Sequence, residues 1–201
     1  MTVPTHDHGA AVALTHGAAR SRYWPTVERE FREKFPRCAA CLDADPETAV
    51  QVHHVNPFHY LLDPVIDRPD LELDERNLIG LCENEEGRPA KDHHIDLGHL
   101  GDFKQGNLRV REDAAGDYHG LAHDAVRAMA EWQSEERAGR IKALSLMTPA
   151  EKEAFRVRLW QELPPDPVVI ARFGIVLTLP APLVLAHPAI TNAASGRRFC
   201  V

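Results

Sequence analysis

Apolar side chains recur at steps of three and four residues soon after the first twenty residues of the chain. The members of this series are Trp24, Val27, Phe31 and Phe35. Such spacing places apolar side chains on one face of an α-helix. Pro25 stands in the first turn, where a missing N–H costs nothing, and Pro36 ends the pattern. The sequence therefore predicts an amphipathic helix over residues 24–35, with this apolar stripe in the core.

A short stretch of extended character follows, in which apolar residues lead into a pair of histidines. Residues 49–52 are Ala-Val-Gln-Val, the pair is His53 and His54, and Pro57 comes soon after. A proline favours extended backbone in the residue before it and closes a strand. We predict a cysteine-bearing knuckle turn and a short β-hairpin within residues 38–57, with 49–52 as the strand that enters the histidine pair.

The middle of the chain has weaker periodicity and more turn residues. Residues 58–74 are rich in Asp and Pro, which indicates a long connection with tight turns. Residues 77–82 form a short apolar stretch, expected to be a loop that leads into a strand or a helix. Residues 83–91 are polar and are expected to form an insertion loop, and a helix is expected from His93 onward.

Helical character returns over residues 121–163, and its clearest start lies at Thr148. Thr148 suits the N-cap position, Pro149 the first helical position and Glu151 the third, which is the pattern of a capping box. Apolar residues then recur at four-residue spacing, namely Phe155, Leu159 and Leu163. The sequence predicts a helix that begins after Thr148 and ends at Pro164-Pro165.

These patterns divide the chain into four parts around one well-buried domain, which is what 201 residues can support. The parts are a flexible tail over residues 1–20, a site-bearing domain over 21–116, a helical extension over 117–164, and an apolar, proline-rich extension over 165–201. The last part has no run of about 18 uncharged residues free of proline. It is expected to be a packed or partly disordered extension, and no membrane partner is expected.

The charge of the chain is acidic overall but uneven. A formal charge of −7 argues against a generic nucleic-acid coat, because binding phosphates needs local positive charge. Six basic residues nevertheless lie between positions 20 and 37, namely Arg20, Arg22, Arg29, Arg32, Lys34 and Arg37. A second basic cluster holds Lys104, Arg109 and Arg111. Such strips can hold a phosphate backbone, and the alternative for the first strip is the solvated face of the helix.

Three of the four cysteines lie close to histidines along the chain, and the fourth, Cys200, is expected to be an uninvolved tail thiol. Cys38-x-x-Cys41 with a distant Cys82 favours a zinc site in a reducing compartment over a disulfide framework. A redox pair at Cys38 and Cys41 is the alternative, but no thioredoxin-like βαβ pattern surrounds it. Because the first residues lack the basic and apolar regions of a secretory signal, the expected location is cytoplasmic.

The order of these motifs resembles the HNH endonuclease family, and within it a phage-like subgroup with a cysteine-type zinc site. The resemblance rests on Cys38-x-x-Cys41, Val52-His53-His54-Val55-Asn56-Pro57, Asn77 with Cys82, and Asp92-His93-His94-Ile95-Asp96-Leu97-Gly98-His99. It covers roughly residues 22–114, about half of the chain. The resemblance implies an α+β fold with a ββα-metal (HNH/His-Me finger) core and flanking α-helices, and it implies hydrolysis of DNA phosphodiester bonds.

The resemblance also implies a role for each motif residue. His53 matches the metal ligand and His54 the general base, and Asn77 matches the residue that fixes the loop and orients the base. His94 matches the metal ligand on the helix, and His99 is a candidate further ligand. Adjacent strand residues point to opposite faces, so it is physically reasonable for the two paired histidines to divide metal binding and proton transfer between them.

The chain departs from the family pattern at the cysteines. Four-cysteine members carry a second Cys-x-x-Cys, whereas here Cys82 is followed by an insertion and His93 occupies the last position. A Cys₃His set of Cys38, Cys41, Cys82 and His93 is acceptable for tetrahedral zinc.

The spacing of the helix histidines is a second departure. His94 and His99 are five residues apart, which is about 140° of rotation on a straight α-helix and poor for sharing one ion. Either a break at Gly98 brings the two rings together, or His99 contacts DNA instead.

The resulting expectation is a metal-dependent endonuclease acting on duplex DNA with weak sequence preference. Its cofactors would be Mg²⁺, Mn²⁺, Ni²⁺ or Zn²⁺ at the catalytic site and Zn²⁺ at the structural site. The candidate nucleic-acid contacts are Arg22, Arg29, Lys104, Arg109 and Arg111. Two alternatives stay open: a zinc-stapled DNA-binding module without catalysis, and a zinc-stabilised protein-interaction domain, which the acidic charge and the unassigned extension over 165–201 would suit.

Overall fold

The computed structural model describes residues 20–41, 49–83, 92–101, 103, 106–116 and 144–178. Within these residues the chain has a mixed α+β fold, with one two-stranded antiparallel sheet, six α-helices and a short π-helix. In chain order the elements are α1 Trp24–Lys34, β1 Val50–His54, α2 Phe58–Leu61, α3 Asp70–Leu73, β2 Leu78–Cys82, the π-helix His94–Gly98, α4 Val110–Ala115, α5 Pro149–Glu162 and α6 Pro167–Phe173. Short 3₁₀ turns at Glu75–Asn77 and Leu144–Leu146 precede β2 and α5.

Several expectations fall on residues that the structure does not describe. They are the tail up to residue 19, most of the insertion loop at 84–91, Lys104, the helical stretch at 117–143, and the end of the chain from 179, which includes Cys200.

The sheet pairs two strands that are far apart in the sequence. β1 and β2 run antiparallel, with His54 opposite Leu78. The strand predicted at 49–52 is confirmed and continues through the histidine pair, and among the described residues its partner is β2. The rest of the hairpin predicted within 38–57 falls on residues 42–48, which lie outside the described part of the chain. All five residues of β2 are buried, and a strand covered on both faces has an apolar run without alternation, which is why a loop was expected there.

Helix α1 packs its apolar stripe against the sheet. Trp24, Val27 and Phe31 are buried together with residues of β1, α3 and β2. The predicted stripe is confirmed for these three side chains, but Phe35 is 42% exposed. The helix ends at Lys34, and Phe35 leaves helical geometry at the C-cap with φ −127° and ψ 72°, which turns its ring out of the core.

The segment 58–74 is part of the core and not the loose connection that its Asp and Pro content predicts. Its fully buried apolar residues, which pack with Phe155 and Leu159 of α5, are Tyr60, Leu61, Ile66 and Leu71. Arg68 and Asp70 form an ion pair of 2.7 Å in which both side chains are fully buried. The charged residues that indicate a solvated loop therefore satisfy each other inside the protein.

The last two helices pack onto the earlier part of the chain. α5 begins as predicted, since the side chains of Thr148 and Glu151 each accept a hydrogen bond from the other residue's backbone N–H. α6 lies beside α1, where Arg172 forms an ion pair of 2.7 Å with Glu30. Val169, Phe173 and Ile175 are partly buried against the apolar cluster that contains Trp24, Val27 and Phe31. No helix in the described part of the chain is long and apolar enough to cross a membrane.

Candidate metal centres and active site

Three cysteines and one histidine converge from separate parts of the fold. Cys38 and Cys41 lie in the turn after α1, Cys82 ends β2, and His93 precedes the π-helix. The Cys41 and Cys82 sulfurs are 3.9 Å apart, and the His93 Nδ1 lies 3.5, 3.5 and 3.1 Å from the three sulfurs. Tetrahedral zinc requires S···S distances of about 3.8 Å and S···N distances of about 3.6 Å. The predicted Cys₃His set is brought together and fits a zinc ion.

The electrostatics of this Cys₃His cluster also suit a cation. Burial lowers the pKa of His93, but hydrogen bonds to the Cys38 and Cys41 sulfurs outweigh it and raise that pKa to about 9. Hydrogen bonds from the neighbouring thiols lower the pKa of Cys38, and the same sulfur contacts raise the pKa of Cys82. Three thiolates cannot share this space without a cation between them, so the cluster favours a metal that displaces the protons.

A second cluster consists of three histidines. His53 on β1 and His94 and His99 at the two ends of the π-helix each offer a ring nitrogen, and these nitrogens all lie within 4.8 Å of one another. The ring centroid of His53 is 5.4 Å from that of His94 and 4.7 Å from that of His99. The structure therefore brings together the three residues predicted as ligands of the catalytic metal.

A π-helix accounts for the proximity of His94 and His99. On an α-helix, residues five apart diverge by about 140°, whereas the i→i+5 geometry of a π-helix places them on one face. The helix predicted here is thus not an α-helix in the part that carries the histidines. The chain reverses directly afterwards at Leu100 and Gly101, whose φ values are 51° and 81°, and the Gly101 N–H donates to the Ile95 carbonyl over 2.9 Å.

His53 reaches the π-helix because residue 98 is glycine. A Cβ added at Gly98 would lie 3.0 Å from both Cε1 and Nδ1 of the His53 ring. The His53 Nε2 is buried and has no hydrogen-bond partner in the described part of the chain. Burial, followed by the neighbouring His99 and His94, lowers the pKa of His53 and keeps its ring neutral. A buried neutral nitrogen without a partner fits a metal-ligand position.

Glu83 supports this cluster through a contact that the sequence does not indicate. Its carboxylate lies 3.3 Å from Nδ1 of His94, and this contact lowers the pKa of Glu83. A carboxylate on one ring nitrogen fixes the orientation of a histidine and leaves the other nitrogen for a metal. In the sequence Glu83 is only the first polar residue after Cys82, where an insertion loop is expected.

His54 has surroundings unlike those of the three-histidine cluster. Its Nε2 lies 3.0 Å from the Glu72 carbonyl oxygen, which can only accept, so Nε2 carries the hydrogen and Nδ1 has the lone pair. The centroids of the Trp24 and Phe58 rings lie 4.6 and 5.8 Å from that of His54. Burial, followed by the charge of Arg20, lowers the pKa of His54. The residue is therefore a neutral, buried base whose tautomer follows from its hydrogen bond.

Asn77 fixes the turn that follows β1. Its Oδ1 accepts from the backbone N–H and the side-chain amide of Asn56, both over 2.9 Å. Its Nδ2 donates to the carbonyls of Asn56 and Leu71 over 3.1 and 3.0 Å. Both amide hydrogens are used in this way, so the geometry supports a positioning role for Asn77, through the turn that directly follows His54.

The two histidine environments open on one cavity of about 110 Å³. The residues that line it include Arg20, His53, His54, His94, His99 and Phe103. Phe103 is 46% exposed, and its ring centroid lies 4.9 Å from that of His99. A larger groove of about 1050 Å³ is lined by apolar and charged side chains and includes no histidine of the described part. His53, His54, His94 and His99 therefore face the smaller cavity, whereas Cys38 lines the larger groove.

The predicted nucleic-acid contacts within the described residues lie at the surface but differ in the groups that they contact. Arg22, Arg29 and Arg109 are exposed, and the last two form surface ion pairs with Glu33 and Glu112. Arg111 is also at the surface, but its guanidinium donates to the backbone carbonyls of Glu75, Arg76 and Leu78 and so supports the start of β2. Arg20, which the sequence places only in a basic strip at the edge of the tail, lines the cavity instead.

Comparisons with known proteins do not indicate a family, so the interpretation rests on the geometry of the site. No family model, no curated protein and no solved structure matches the chain. The structure itself shows an α+β fold with a Cys₃His cluster that can hold a metal such as zinc, and a separate group of three histidines that can hold another.

Proposed function

We propose that the protein is a metal-dependent HNH-type endonuclease that hydrolyses phosphodiester bonds of DNA. The observation that carries the proposal is the placement, around one cavity, of the neutral His54 beside the separate cluster of His53, His94 and His99. Hydrolysis needs a base and a cation side by side, whereas a binding module needs neither. β1, β2 and the π-helix would then form a ββα-metal core whose helical part begins as a π-helix.

His54 would act as the general base. Its Nδ1 takes a proton from water while the water oxygen bonds to phosphorus. The phosphorus–oxygen bond to the leaving sugar oxygen breaks, and that oxygen gains a proton from solvent. The hydrogen bond from Nε2 to the Glu72 carbonyl keeps the ring in the tautomer that can accept at Nδ1. Asn77 would contribute by holding the turn after His54 in place.

His53, His94 and His99 would hold the divalent ion, and Glu83 would orient His94. When bound, this ion neutralises charge on the phosphate and on the departing oxygen. Nitrogen ligands suit Mn²⁺, Ni²⁺ or Zn²⁺, and Mg²⁺ would need water and phosphate oxygens to complete its coordination. The Cys₃His cluster would hold a separate, structural Zn²⁺.

Contacts to duplex DNA would come from the exposed arginines. Arg22, Arg29 and Arg109 are at the surface and can reach phosphates, which positions a duplex without reading its sequence. Arg111 is the weaker candidate, because it would have to leave its backbone carbonyls. Lys104 stays a prediction outside the described residues.

Cleavage of supercoiled plasmid tests the proposal. Zinc-loaded protein is incubated with Mg²⁺, Mn²⁺, Ni²⁺ or Zn²⁺, beside His54→Ala and the control Arg172→Gln. The Arg172 side chain forms a surface ion pair with Glu30 and is not among the residues that line the cavity. We expect nicking or linearisation that requires the added metal. His54→Ala should lower the rate by about a hundredfold or more, because it removes the base, and Arg172→Gln should retain most of it.

The absence of cleavage with every metal, from a folded and zinc-loaded protein, would contradict the proposal. DNA affinity without cleavage would then favour the zinc-stapled binding module. A protein that neither binds nor cleaves DNA would favour the zinc-stabilised protein-interaction domain.

A further inference from the structure

Arg20 lies on the cavity wall directly beside the proposed base. Its guanidinium carbon is 3.6 Å from the centroid of the Phe58 ring and 4.4 Å from that of the Trp24 ring. The next residue fixes the backbone, because the Ser21 N–H donates to the Glu72 carboxylate over 2.9 Å. Two aromatic rings and a backbone anchor therefore hold this side chain at the cavity.

Nearby carboxylates offset the positive charge of Arg20 only in part. Burial lowers the pKa of Arg20 to about 10, and the through-space attraction of Glu72 and Glu28 offsets this only in part. Within the described residues, no carboxylate lies at ion-pair distance from the guanidinium. A planar, stacked guanidinium in such surroundings is well suited to an incoming anion, which it can contact with two N–H groups at once.

Among the described residues, the polar contact of Arg20 is with His54. Nη1 of Arg20 lies 3.2 Å from Nδ1 and 3.4 Å from Nε2 of that ring. Because Nε2 already donates to the Glu72 carbonyl, the guanidinium donates to the lone pair of Nδ1. This lone pair is the one proposed to accept a proton from water, so Arg20 occupies it in the structure.

We propose that Arg20 is a substrate-binding residue that binds the scissile phosphodiester and thereby releases Nδ1 of His54. A phosphate oxygen carries charge and is a stronger acceptor for the guanidinium N–H than a neutral imidazole. When the N–H moves to the phosphate, Nδ1 becomes free beside the bound substrate. The inference rests on the proposed endonuclease and adds that the substrate itself frees the base.

DNA binding over a range of salt concentrations tests the phosphate contact without any cleavage. A fluorescein-labelled duplex is titrated with zinc-loaded protein and no second metal. Arg20→Gln should weaken binding and reduce the slope of log Kd against log salt by about one, whereas Arg20→Lys should keep the slope. Arg172→Gln makes the same charge change at an exposed ion pair with Glu30 and should leave the slope unchanged.

Hydrolysis of bis(4-nitrophenyl) phosphate tests the contact at the reacting group, because this probe has a single phosphodiester. Arg20→Gln should lower kcat/KM for the probe by about a hundredfold or more. Arg20→Lys should retain only part of the wild-type kcat/KM, since an ammonium group cannot stack on the aromatic rings and donate two parallel hydrogen bonds as a guanidinium does. Arg172→Gln should match the wild-type protein.

A folded Arg20→Gln variant with the wild-type salt slope and wild-type hydrolysis would overturn the inference and leave the endonuclease proposal intact. A reduced slope with no hydrolysis by any form of the protein would support the phosphate contact and overturn the endonuclease. Thermal denaturation and zinc content establish that each variant is folded.

Discussion

His53 and His54 are neighbours in the chain, but their rings meet different partners. The His53 ring lies against two other histidines, and its buried Nε2 has no hydrogen-bond partner among the residues that the structure describes. The His54 ring donates from Nε2 to the Glu72 carbonyl and lies near two aromatic rings, those of Trp24 and Phe58. These surroundings suit the ligand and base roles proposed for His53 and His54, so we expect that the two histidines are not interchangeable.

Gly98→Ala should disturb the three-histidine cluster. The added Cβ would lie 3.0 Å from two atoms of the His53 ring, so either the ring or the π-helix must move. We expect a loss of affinity for the second metal by about ten- to a hundredfold. We also expect a loss of about 1–3 kcal/mol in the free energy of unfolding, from overpacking. Calorimetric titration with Mn²⁺ or Ni²⁺ and chemical denaturation measure the two effects.

The zinc content of Gly98→Ala is its internal control. Since Gly98 is not part of the Cys₃His cluster, the variant should retain its zinc. Unchanged affinity for the second metal would show that the close approach at residue 98 does not set the position of His53.

The motif residues were predictable from the sequence, and their supporting contacts were not. The cysteines and histidines stand in an order that indicates metal chemistry without any knowledge of distances. Arg20 and His54 are 34 residues apart, and Glu83 and His94 are 11 residues apart. Such pairs depend on where two segments meet in space, and no local pattern specifies it.

At the scale of elements, periodicity identified α1 and α5 because each has an exposed face and a buried face. It failed for β2, which is buried on both faces. It also failed for 58–74, where Asp70 and Asp74 are buried inside the fold, and for the π-helix, whose wider turn has no distinctive pattern of residues. In each case, tertiary contacts and not local preference determine the element.

The attachment of α5 to the rest of the fold should depend on pH. Lys152 lies 2.7 Å from the Asp63 carboxylate, and the side chains are only 22% and 8% exposed. Burial raises the pKa of Asp63, but the hydrogen bond from Lys152 and further hydrogen bonds outweigh it, so the pKa is lowered on folding. The pair therefore stabilises the protein above about pH 4, and this contribution is lost as the pH falls through the lowered pKa.

Lys152→Met should lower the free energy of unfolding by about 1 kcal/mol at pH 7 and by less at pH 3. Lys34→Met is the matched control, because Lys34 and Glu75 form a pair with side chains 57% and 51% exposed, and it should cost less than about 0.5 kcal/mol. Urea denaturation of both variants at the two pH values gives the comparison. If Lys152→Met lost the same free energy of unfolding at both pH values, the effect would come from the packing of the aliphatic part of Lys152 and not from its ion pair.

At the scale of the whole molecule, the Cys₃His cluster joins three segments that are distant in the sequence. It connects the turn after α1, the end of β2 and the start of the π-helix. The contact is reinforced by the Ala39 N–H, which donates to the Gly80 carbonyl of β2 over 2.9 Å. A metal there would hold the sheet and the histidine-bearing helix in one arrangement, so its removal should affect the whole domain.

Cys82→Ser should remove the bound zinc and lower the melting temperature, because a serine hydroxyl does not replace a thiolate ligand. His93→Cys should retain zinc, since four cysteines suit tetrahedral zinc equally well. Metal analysis and thermal denaturation measure both results, and Cys200→Ser serves as the control that should keep its zinc. Full zinc content in Cys82→Ser, or its loss in His93→Cys, would contradict the assigned ligand set.

The two metal-binding clusters are covalently adjacent at two places. Cys82 directly precedes Glu83, and His93 directly precedes His94. In each pair the first residue belongs to the Cys₃His cluster, and the second belongs to the three-histidine cluster or contacts it. If the two clusters hold zinc and a second ion as proposed, loss of zinc would release His93 and so displace the neighbouring His94 from the second site. A shortage of zinc in the cell would then lower the occupancy of the second ion, even with that ion in excess.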